Sequence, residues 1–541
     1  MADAKAIIRR LSALRSARQP HEAGMQECFD YTHPERGFGL NGGTTSIFTS
    51  QDAQTKRNRI LDDTAASSAR LLSANIVSGT TPANSLWFGL DAGLETDEND
   101  NEIDDEDRWL DQAARTIFAN IHAANFDAAA YECAVDIVDA GWFVMYIDEA
   151  KEGGLHFEQW PLAQCFISAS KNGGLVDTIY REVSLTVEQL VEQYGIDSVS
   201  DTVKRSYAAE KYDDPISIVH AIYPRGLHAV GARRSKNLPF ASSHVEVSTN
   251  HVLKESGYHE FPCVVPRWML IPGTSYATGP VSQALGSIRT INDIKALELA
   301  NLDMATAGMW IAEDDGVLNP RTVKVGPRKI IVANSVDSMK PLVPGSNFQV
   351  AFTAEDRLQA AIRKALLADQ LQPQDGPAMT ATEVHVRIQL IRQLLGPIYG
   401  RLQAEYLQPL VIRCFGLAYR AGALGVAPQS LQGKVFTVRY ISPLARAQRM
   451  EDVTAMDRLE TSLIAEAQAD PSVLDVYDFE AACRLRSDFL GVPKTVMRSA
   501  DDVTALREKR QAAAKTQNQQ AAMQDMMTKA APGVMQKALA A

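Results

Sequence analysis

The sequence contains little of what marks the commonest enzymes and exported proteins. Its six cysteines include no Cys-x-x-Cys pair, so their spacing predicts neither a zinc site nor a disulfide framework and is typical of buried, reduced thiols. No Gly-x-x-x-x-Gly-Lys-Ser/Thr loop is present to cradle phosphates, and no Gly-x-Ser-x-Gly elbow is present to hold a nucleophilic serine. These absences argue against a P-loop ATPase and a serine hydrolase.

Positive charge and long apolar runs are also scarce. Lysine and arginine number 54 against 66 acidic residues, and the net charge of −12 argues against tight wrapping of nucleic acid. The Arg-rich start at residues 7–18 lacks a following apolar segment, and the longest uncharged stretch, residues 71–90, contains Gly79 and Pro82. We therefore expect neither a secretory signal nor a transmembrane span, and we expect any contact with DNA to be loose.

Length and composition are those of a large folded protein. The 541 residues suggest three or four packed units, and the hydrophobic and charged fractions, 45% and 22%, are close to globular averages. Helical patterns near residues 62–78 and 105–124 give way, from Gly141 onward, to β-rich runs separated by Gly-Gly turns. The runs are residues 142–147, 155–160, 177–183, 216–223, 246–253 and 263–270. Residues 1–275 are therefore predicted to form one α+β lobe.

Two helical patterns flank a short β-rich insert in the middle of the chain. Pro280 is a favourable first residue for a helix over residues 281–307, which would be roughly 40 Å long. Residues 354–369 are again helical in pattern. The residues between them, 308–353, contain short β-like runs interrupted by prolines. This pattern predicts two helices with a small β insert between them.

A polar loop at residues 370–379 precedes the longest helical pattern of the chain. Thr380 and Glu383 have capping-box spacing, which predicts a helix start. The apolar positions that follow, at helical intervals, are Val384, Ile388, Ile391, Leu395, Ile398, Leu402, Tyr406 and Leu410. Pro397 and Pro409 lie inside this run and each removes a backbone donor, so we expect a kinked helix. A strand at 435–441, helices at 445–510 and a low-complexity tail are predicted beyond it.

Three weaker motifs are better explained without a ligand. Residues 37–42 match the Gly-x-Gly-x-x-Gly dinucleotide fingerprint, but no buried strand precedes them, so a flexible loop is favoured. Residues 97–101 resemble a calcium loop, but later ligand positions carry the wrong residues, so a solvated acidic turn is favoured. His251 and His259 lie near acidic residues without metal-ligand spacing, which favours ordinary surface histidines.

Several short motifs recur along the chain in a specific order. They are Thr81-Pro82 with Trp87-Phe88, Gly273-Thr274-Ser275-Tyr276 with Gly279-Pro280, Ile291-Asn292-Asp293-Ile294-Lys295, Met379-Thr380-Ala381-Thr382-Glu383-Val384, Leu395-Gly396-Pro397 with Arg401, Glu405 and Pro409, Ser442-Pro443-Leu444-Ala445, and Gly491-Val492-Pro493. In this order they resemble the portal protein, or head-to-tail connector, of short-tailed, T7-like bacteriophages. The resemblance covers most of the chain and rests on the order of the motifs.

The resemblance implies a fold and a set of parts. It implies an α+β portal-type fold assembled as a ring, typically of twelve subunits, at one capsid vertex. Residues 1–275 would form the wing, 276–307 and 354–369 the two stem helices, 308–353 the clip, 370–379 a tunnel loop, 380–441 the kinked long helix with a wing strand, and 442–541 the crown and C-terminal tail.

The resemblance also implies where the chain meets DNA and other proteins. The tunnel-loop residues expected near DNA are Gln370, Leu371, Gln372, Pro373, Gln374, Asp375 and Gly376, and because none is a cation we expect weak polar or steric contact. The clip carries a local basic bias that would face either DNA or an acidic docking partner. Its basic residues are Lys324, Arg328, Lys329 and Lys340.

The implied partners are other copies of the chain, double-stranded DNA passing through the tunnel, the large terminase subunit, a tail adaptor protein, and the major capsid and scaffolding proteins. No membrane, cofactor, metal or catalytic residue is implied. The implied location is the portal vertex of the virion, after assembly in the host cytoplasm. The alternative, from another class, is a metal-dependent nuclease or similar DNA-processing enzyme that would use carboxylates such as Asp136, Asp139 and Asp148 to hold metal ions.

Overall fold

The computed structural model describes residues 3–37, 40, 50–91, 100–150, 152–171, 173–226, 234–307, 309–312, 339–342, 348–371, 396, 398–431, 437–440, 443–467, 470–490, 492, 496–498 and 503–515. These residues belong to two compact units, one from 1–81 and 121–417 and the other from 82–120 and 418–541. Residues 82–120 lie in the second unit, although the sequence patterns group them with residues 1–275. Helices and sheets are both present, which confirms the α+β class.

The helices of the first unit begin and end at residues that favour those positions. In chain order, and including two that cross the boundary between units, the helices are α1 (Ala4–Thr32), α2 (Ser50–Arg57), α3 (Thr64–Thr80), α4 (Asp100–Ala123), α5 (Phe126–Ala140), α6 (Val187–Tyr194), α7 (Asp201–Ala208), α8 (Pro280–Ala307), α9 (Phe348–Ala365), α10 (Ala368–Leu371) and α11 (Gln408–Arg420). The Asp3 carboxylate accepts hydrogen bonds from the first-turn amides of α1. Thr186 and Gln189 form a capping box on α6, and Gly141 ends α5 in the left-handed conformation.

The largest sheet in the described residues has five antiparallel strands. The strands are β1 (Phe88–Asp91), β2 (Met145–Glu149), β3 (Leu155–Gln159), β4 (Cys165–Ser168), β5 (Thr178–Thr186), β6 (Pro215–Pro224), β7 (Phe240–Glu246), β8 (His251–Tyr258), β9 (Cys263–Val264), β10 (Met269–Leu270), β11 (Ala277–Thr278), β12 (Met309–Ala312), β13 (Met339–Leu342) and β14 (Thr437–Tyr440). The large sheet runs β4-β5-β6-β7-β8, a smaller sheet runs β3-β2-β9, and β10 with β11 and β12 with β13 form two-stranded pairs.

Helix α1 lies on the large sheet and supplies one face of its core. Ile7, Leu11 and Leu14 recur at helical spacing and are buried with Phe166 of β4 in one cluster. Arg18, one turn further along, is also buried, and its Nη1 donates to three backbone carbonyls between residues 162 and 165 at 2.8–2.9 Å. Its guanidinium lies 4.0 Å from the Phe166 ring centroid, so the charge is both bonded and stacked.

Three predicted elements differ from the structure. The run predicted at 263–270 forms two separate strands, β9 and β10, which belong to different sheets. The predicted single strand at 246–253 is wrong, because β7 ends at Glu246, β8 begins at His251 and a turn lies between them. Asn250 in that turn has φ of +54°, which asparagine tolerates better than β-branched residues do. Helix α9 begins at Phe348 rather than at 354 and ends at Ala365, because Leu367 adopts φ of +58° and separates α9 from α10.

The long helix is described at residues 396 and 398–420 and contains an irregular turn. Gln403–Leu407 is a π-helical turn, in which the Gln408 amide donates to the Gln403 carbonyl. Pro409 follows at once, and since it has no N–H and crowds the carbonyl one turn back, the α-helical ladder is interrupted here. Pro397 and the predicted capping box of Thr380 and Glu383 lie outside the described residues.

The second unit combines a strand pair with helices near the C-terminus. Strands β1 and β14 pair antiparallel, although they are far apart in sequence. Helices α12 (Pro443–Glu466) and α13 (Phe479–Leu490) pack together, and Arg486 of α13 pairs with Asp457 of α12 at 3.3 Å and with Glu460. A further helix covers residues 503–515.

The C-terminal elements, the cysteines and the hydropathy of the helices can each be compared with the sequence prediction. The strand predicted at 435–441 and the helices predicted between 445 and 510 are confirmed by β14, α12, α13 and the helix that starts at 503. Five cysteines are buried free thiols as expected, but Cys483 is exposed. Within the part of the chain that the structure describes, none of the helices combines the length and hydropathy that crossing a bilayer requires.

A row of basic side chains crosses the large sheet. The strand register places Arg181 of β5, His220 of β6, His244 of β7 and Lys254 of β8 side by side. The two imidazole rings stack with centroids 4.0 Å apart, and His244 Nδ1 lies 2.8 Å from the Tyr194 hydroxyl. We call these four side chains the basic row.

Burial changes the proton affinity of the two histidines in the basic row. It lowers the pKa of His220 well below its usual value, with further contributions from His244, Arg181 and Lys254. Burial, helped by Lys254, also lowers the pKa of His244 to about 4. Both imidazoles are therefore neutral in the folded protein near neutral pH.

Replacing His244 with phenylalanine is expected to reduce the dependence of stability on pH. Below pH 6.5 the unfolded state binds a proton at His244, whereas the folded state does so only near pH 4. The free energy of unfolding of the native protein therefore falls across this window, by about 3 kcal/mol from this group, and the variant lacks that contribution. Urea unfolding at a series of pH values measures this change in the free energy of unfolding, with His259→Phe at an exposed histidine as control. If the free energy of unfolding depends on pH equally in His244→Phe and in the native protein, the lowered pKa of His244 is contradicted.

Candidate functional site

Helices α8 and α9 form a packed hairpin in the middle of the chain. Strand β12 follows α8, strand β13 precedes α9, and the two strands pair antiparallel with Met309 opposite Leu342. The bounds predicted for α8 are confirmed to within one residue. We call α8, β12, β13 and α9 the central hairpin.

Asn292 fixes the central hairpin to the segment before α3. The residue is only 6% exposed, although its side chain is polar. Its Oδ1 accepts hydrogen bonds from the amides of Leu61 and Asp62 at 2.8 and 3.4 Å, and its Nδ2 donates to the Ile288 carbonyl at 2.9 Å. Because a buried polar group is costly unless it is paired, this position needs a side chain with both a donor and an acceptor.

Polar contacts also join α8 to α9 and both helices to the same segment. Lys295 of α8 pairs with Glu355 of α9. Gln359 of α9 donates to the Asp62 carboxylate at 2.9 Å. Asp62 and Asn292 therefore form a small polar network at which α3, α8 and α9 meet.

The start of α8 lies against the end of α5 with no room for side chains. A Cβ atom on Gly279 would lie 2.5 Å from the Val138 carbonyl oxygen, and one on Gly141 would lie 2.4 Å from the Thr278 carbonyl carbon. Gly141 also has φ of +89°, which other residues rarely adopt. Only glycine fits at either position, and this approach fixes where Pro280 begins α8.

The Gly-Thr-Ser-Tyr motif before α8 is a structural turn. Gly273 has φ of +78°, and the Thr274 hydroxyl donates to the Ile271 carbonyl at 3.0 Å. Tyr276 is buried, with its ring edge-on to Trp142 at 5.6 Å between centroids. The motif therefore anchors the entry to α8 in the core rather than binding a ligand.

A buried ion pair connects the π turn of the long helix to the segment that follows β9. The Arg267 and Glu405 side chains are 2% and 11% exposed. Arg267 donates from Nε and Nη2 to the two Glu405 oxygens, each at 2.9 Å, and from Nη2 to the Gly174 carbonyl at 2.8 Å. Two parallel charge-assisted bonds offset the desolvation of both groups.

The structure describes three of the predicted site residues. Gln370 and Leu371 are the last residues of α10, so the helix extends into the predicted tunnel loop. Lys340 lies on β13, opposite Ile311 of β12. Gln372, Pro373, Gln374, Asp375, Gly376, Lys324, Arg328 and Lys329 lie outside the described residues.

The three carboxylates considered for a metal-dependent enzyme have separate partners. Asp136 accepts from Arg36 Nε at 2.8 Å, and Asp139 lies 2.7 Å from a ring nitrogen of His33. Asp148 accepts from a tyrosine hydroxyl at 2.6 Å. Among the described residues, no group of three histidine, cysteine or acidic side chains is placed to hold a metal ion. The arrangement gives no support to the nuclease alternative.

The weaker motifs are only partly described. His251 lies 3.0 Å from the Ser198 carbonyl, and His259 is exposed, which fits ordinary histidines at the ends of a strand. Most of residues 37–42, together with Asp97 and Asn99, lie outside the described residues.

Residues 4–497 of the chain match the family described as bacteriophage head to tail connecting protein. The chain belongs to this family. It is 27% identical over 553 residues to the probable portal protein of Bordetella phage BPP-1, covering 96% of this chain and 92% of that protein. It is 26% identical over 516 residues to the portal protein of Salmonella phage epsilon15, covering 93% and 90%. It is 19% identical over 417 residues to the portal protein of Escherichia phage T7, covering 75% and 73%.

Membership in the family of head-to-tail connecting proteins confirms the resemblance drawn from the motifs. It gives the chain a structural, non-enzymatic role in the connection of phage head and tail. Several of the resembling motifs, including Asn292, Gly279 and Glu405, have a packing role in the structure. Sequence reasoning missed Arg267, although a lone cation in the run Val264-Val265-Pro266-Arg267-Trp268 is a signal for a buried ion pair.

Replacing Glu405 with glutamine is expected to destabilise this connector protein strongly. The change leaves the Arg267 guanidinium buried without a counter-charge, which lowers the free energy of unfolding by about 3 kcal/mol. Asp111→Asn, which breaks the more exposed i,i+4 pair with Arg115 on α4, is the control and costs about 0.3 kcal/mol. Urea unfolding of both variants measures the difference. Equal losses in the two variants would show that the buried pair contributes no more than the exposed one.

Proposed function

We propose that copies of this chain assemble into a portal ring, twelve-fold by resemblance to T7-like connectors, at one vertex of a phage capsid. Double-stranded DNA passes through the central tunnel during packaging and ejection. The ring docks the large terminase subunit and later a tail adaptor, and it contacts the major capsid and scaffolding proteins during assembly. Family membership supports this proposal, and the exposed apolar side chains of the central hairpin support assembly into a ring.

The central hairpin exposes large apolar side chains. Leu297, Leu299 and Leu302 of α8 are 65%, 53% and 58% exposed, and Phe352 of α9 is 56% exposed. Single exposed apolar residues are ordinary, but several on one packed helix pair indicate a surface that another protein covers. Another copy of the chain is the partner that a portal ring supplies.

These leucines lie on two sides of α8. Leu297 and Leu299 point about 160° apart around the helix axis, and Leu302 follows Leu299 on the same side. In a cyclic ring each subunit meets its two neighbours through different surfaces. An apolar residue on one side and an apolar pair on the other suit such an interface, in which α8 is flanked by both neighbours.

The proposed tunnel favours sliding of DNA over tight binding. The chain has a net charge of −12, and residues 370–376 contain Asp375 and no cation. Duplex DNA carries one charge per ~1.7 Å of axis, so a lining rich in lysine and arginine would hold it tightly. The clip is the exception, because its basic residues offer a contact for either DNA or an acidic docking protein.

Aspartates in place of Leu299 and Leu302 are expected to prevent ring assembly. Two charges would be buried without partners in the interface, whereas the folded subunit already exposes both positions. Negative-stain electron microscopy and sedimentation velocity measure assembly, and circular dichroism checks folding. Leu175→Asp, at a 54% exposed loop position of the same unit, is the matched control. Twelve-fold rings at native yield from the double variant would contradict the proposed interface.

Removal of residues 371–376 is expected to leave rings intact while reducing retention of packaged DNA. The deletion shortens the tunnel loop, which is proposed to hold the duplex through weak contacts. A second variant, with residues 372–376 replaced by glycine and serine at constant length, separates loop length from side-chain chemistry. Nuclease-protected DNA in assembled particles is the readout. Normal packaging and retention in the deletion variant would exclude this role for the loop.

A further inference from the structure

The large sheet of the first unit is covered by helices on both of its faces. Helix α1 packs on one face, where Leu11 shares an apolar cluster with Tyr180 of β5 and Val219 of β6. Helices α6 and α7 pack on the other face, where Leu190 shares a second cluster with Ile218 of β6. Consecutive residues of a strand point to opposite faces, so Ile218 and Val219 separate the two clusters. The two helical layers therefore lie on opposite sides of one sheet.

The outer surface of the first half of α1 carries positive charge. Residues 4–21 contain five lysine and arginine residues and no acidic residue. The five are Lys5, Arg9, Arg10, Arg15 and Arg18. Arg18 is buried, and Arg15 pairs with Glu182 of β5. The other three are exposed and have no ion-pair partner among the described residues, and we call them the basic face.

The outer surface of α6 and α7 carries the opposite charge. Residues 187–214 contain seven acidic residues and three basic ones, and all seven acidic residues are exposed. We call them the acidic face, and they are Glu188, Glu192, Asp197, Asp201, Glu210, Asp213 and Asp214. Among the described residues only Asp201 has an ion-pair partner, Lys204 at 3.9 Å. Lys254 of the basic row lies on the same side of the sheet and reduces this negative charge without cancelling it.

Opposite charges on the two sides of one sheet suit a contact between copies of the chain. In a closed ring each subunit meets its neighbours through two different surfaces, which must fit each other. Facing surfaces of opposite charge speed association and disfavour pairings between like charges. Double-stranded DNA would neutralise the basic face but would leave the acidic face without a partner. A second copy of the chain accounts for both surfaces.

We propose that the basic face of one subunit docks on the acidic face of the next subunit in the ring. The inference rests on the proposed ring, and it adds a charged contact to the apolar contacts proposed for α8. Exposed ion pairs are individually weak and are screened by salt. The contact therefore controls the rate and the orientation of subunit association more than the stability of the finished ring.

Two charge-reversed variants of the full-length chain test this contact. The first variant carries Lys5→Glu, Arg9→Glu and Arg10→Glu. The second variant carries Glu188→Lys, Glu192→Lys and Asp213→Lys. At low salt, each variant alone is expected to assemble about tenfold more slowly than the native chain, because surfaces of like charge then meet at every interface. Light scattering measures the rate, sedimentation velocity measures the fraction in rings, and circular dichroism checks folding.

An equal mixture of the two variants is expected to assemble at close to the native rate. In a ring with an even number of subunits the two variants can alternate, and every interface then joins an acidic surface to a basic one. Recovery in the mixture requires that the two faces meet in different copies, so neither misfolding nor a lost contact with DNA would produce it. Glu152→Lys, at an exposed turn between β2 and β3, is the control and retains the native rate.

The outcomes separate this contact from the ring itself. Native rates in both single variants, or a mixture no faster than either variant alone, overturn the contact and leave the ring in place. A first variant that assembles normally but loses affinity for double-stranded DNA assigns the basic face to DNA and also overturns the contact. Absence of rings from the native chain overturns the proposed function, and with it the partner named here.

Discussion

The placement of the central hairpin depends on the contact between two backbone segments at Gly141 and Gly279. With no side chain between them, α5 ends and α8 begins at the closest distance that two chains allow. The Gly141 carbonyl also accepts from the Trp268 amide at 2.7 Å, which places the neighbouring Arg267. Arg267 in turn holds Glu405, so one backbone contact positions both the hairpin and the π turn.

The sequence predicts the elements that have strong local signals. Helix α8 was predicted closely because Pro280 marks its start and Ile288 and Ile291 fall at helical spacing. The turn before β8 was missed because residues 246–253 are mostly β-prone and only Asn250 marks the reversal. The capping box of Thr186 and Gln189 is a local signal that the prediction did not use.

Other features have no local signal. Strands β1 and β14 pair although they are far apart in the sequence. Each has only four residues, so its pattern does not indicate which strand it pairs with. The basic row exists only because the register of four strands aligns its members. The candidate site shows the same dependence on tertiary structure. The sequence identifies Asn292 as part of a motif, but only the folded chain shows that its Oδ1 accepts a hydrogen bond from the Leu61 amide.

The π turn explains how the long helix keeps one buried face although successive apolar residues are all four positions apart. Leu402, Tyr406 and Leu410 are buried and follow one another in steps of four, each of which advances about 40° around an ideal α helix. Without correction this drift would carry the apolar stripe off the core. The wider turn at Gln403–Leu407 accommodates one extra residue, which rotates the following apolar residues back toward the core. The irregularity therefore serves as a phase correction, and loss of one residue from this turn would rotate the two halves of the helix relative to each other.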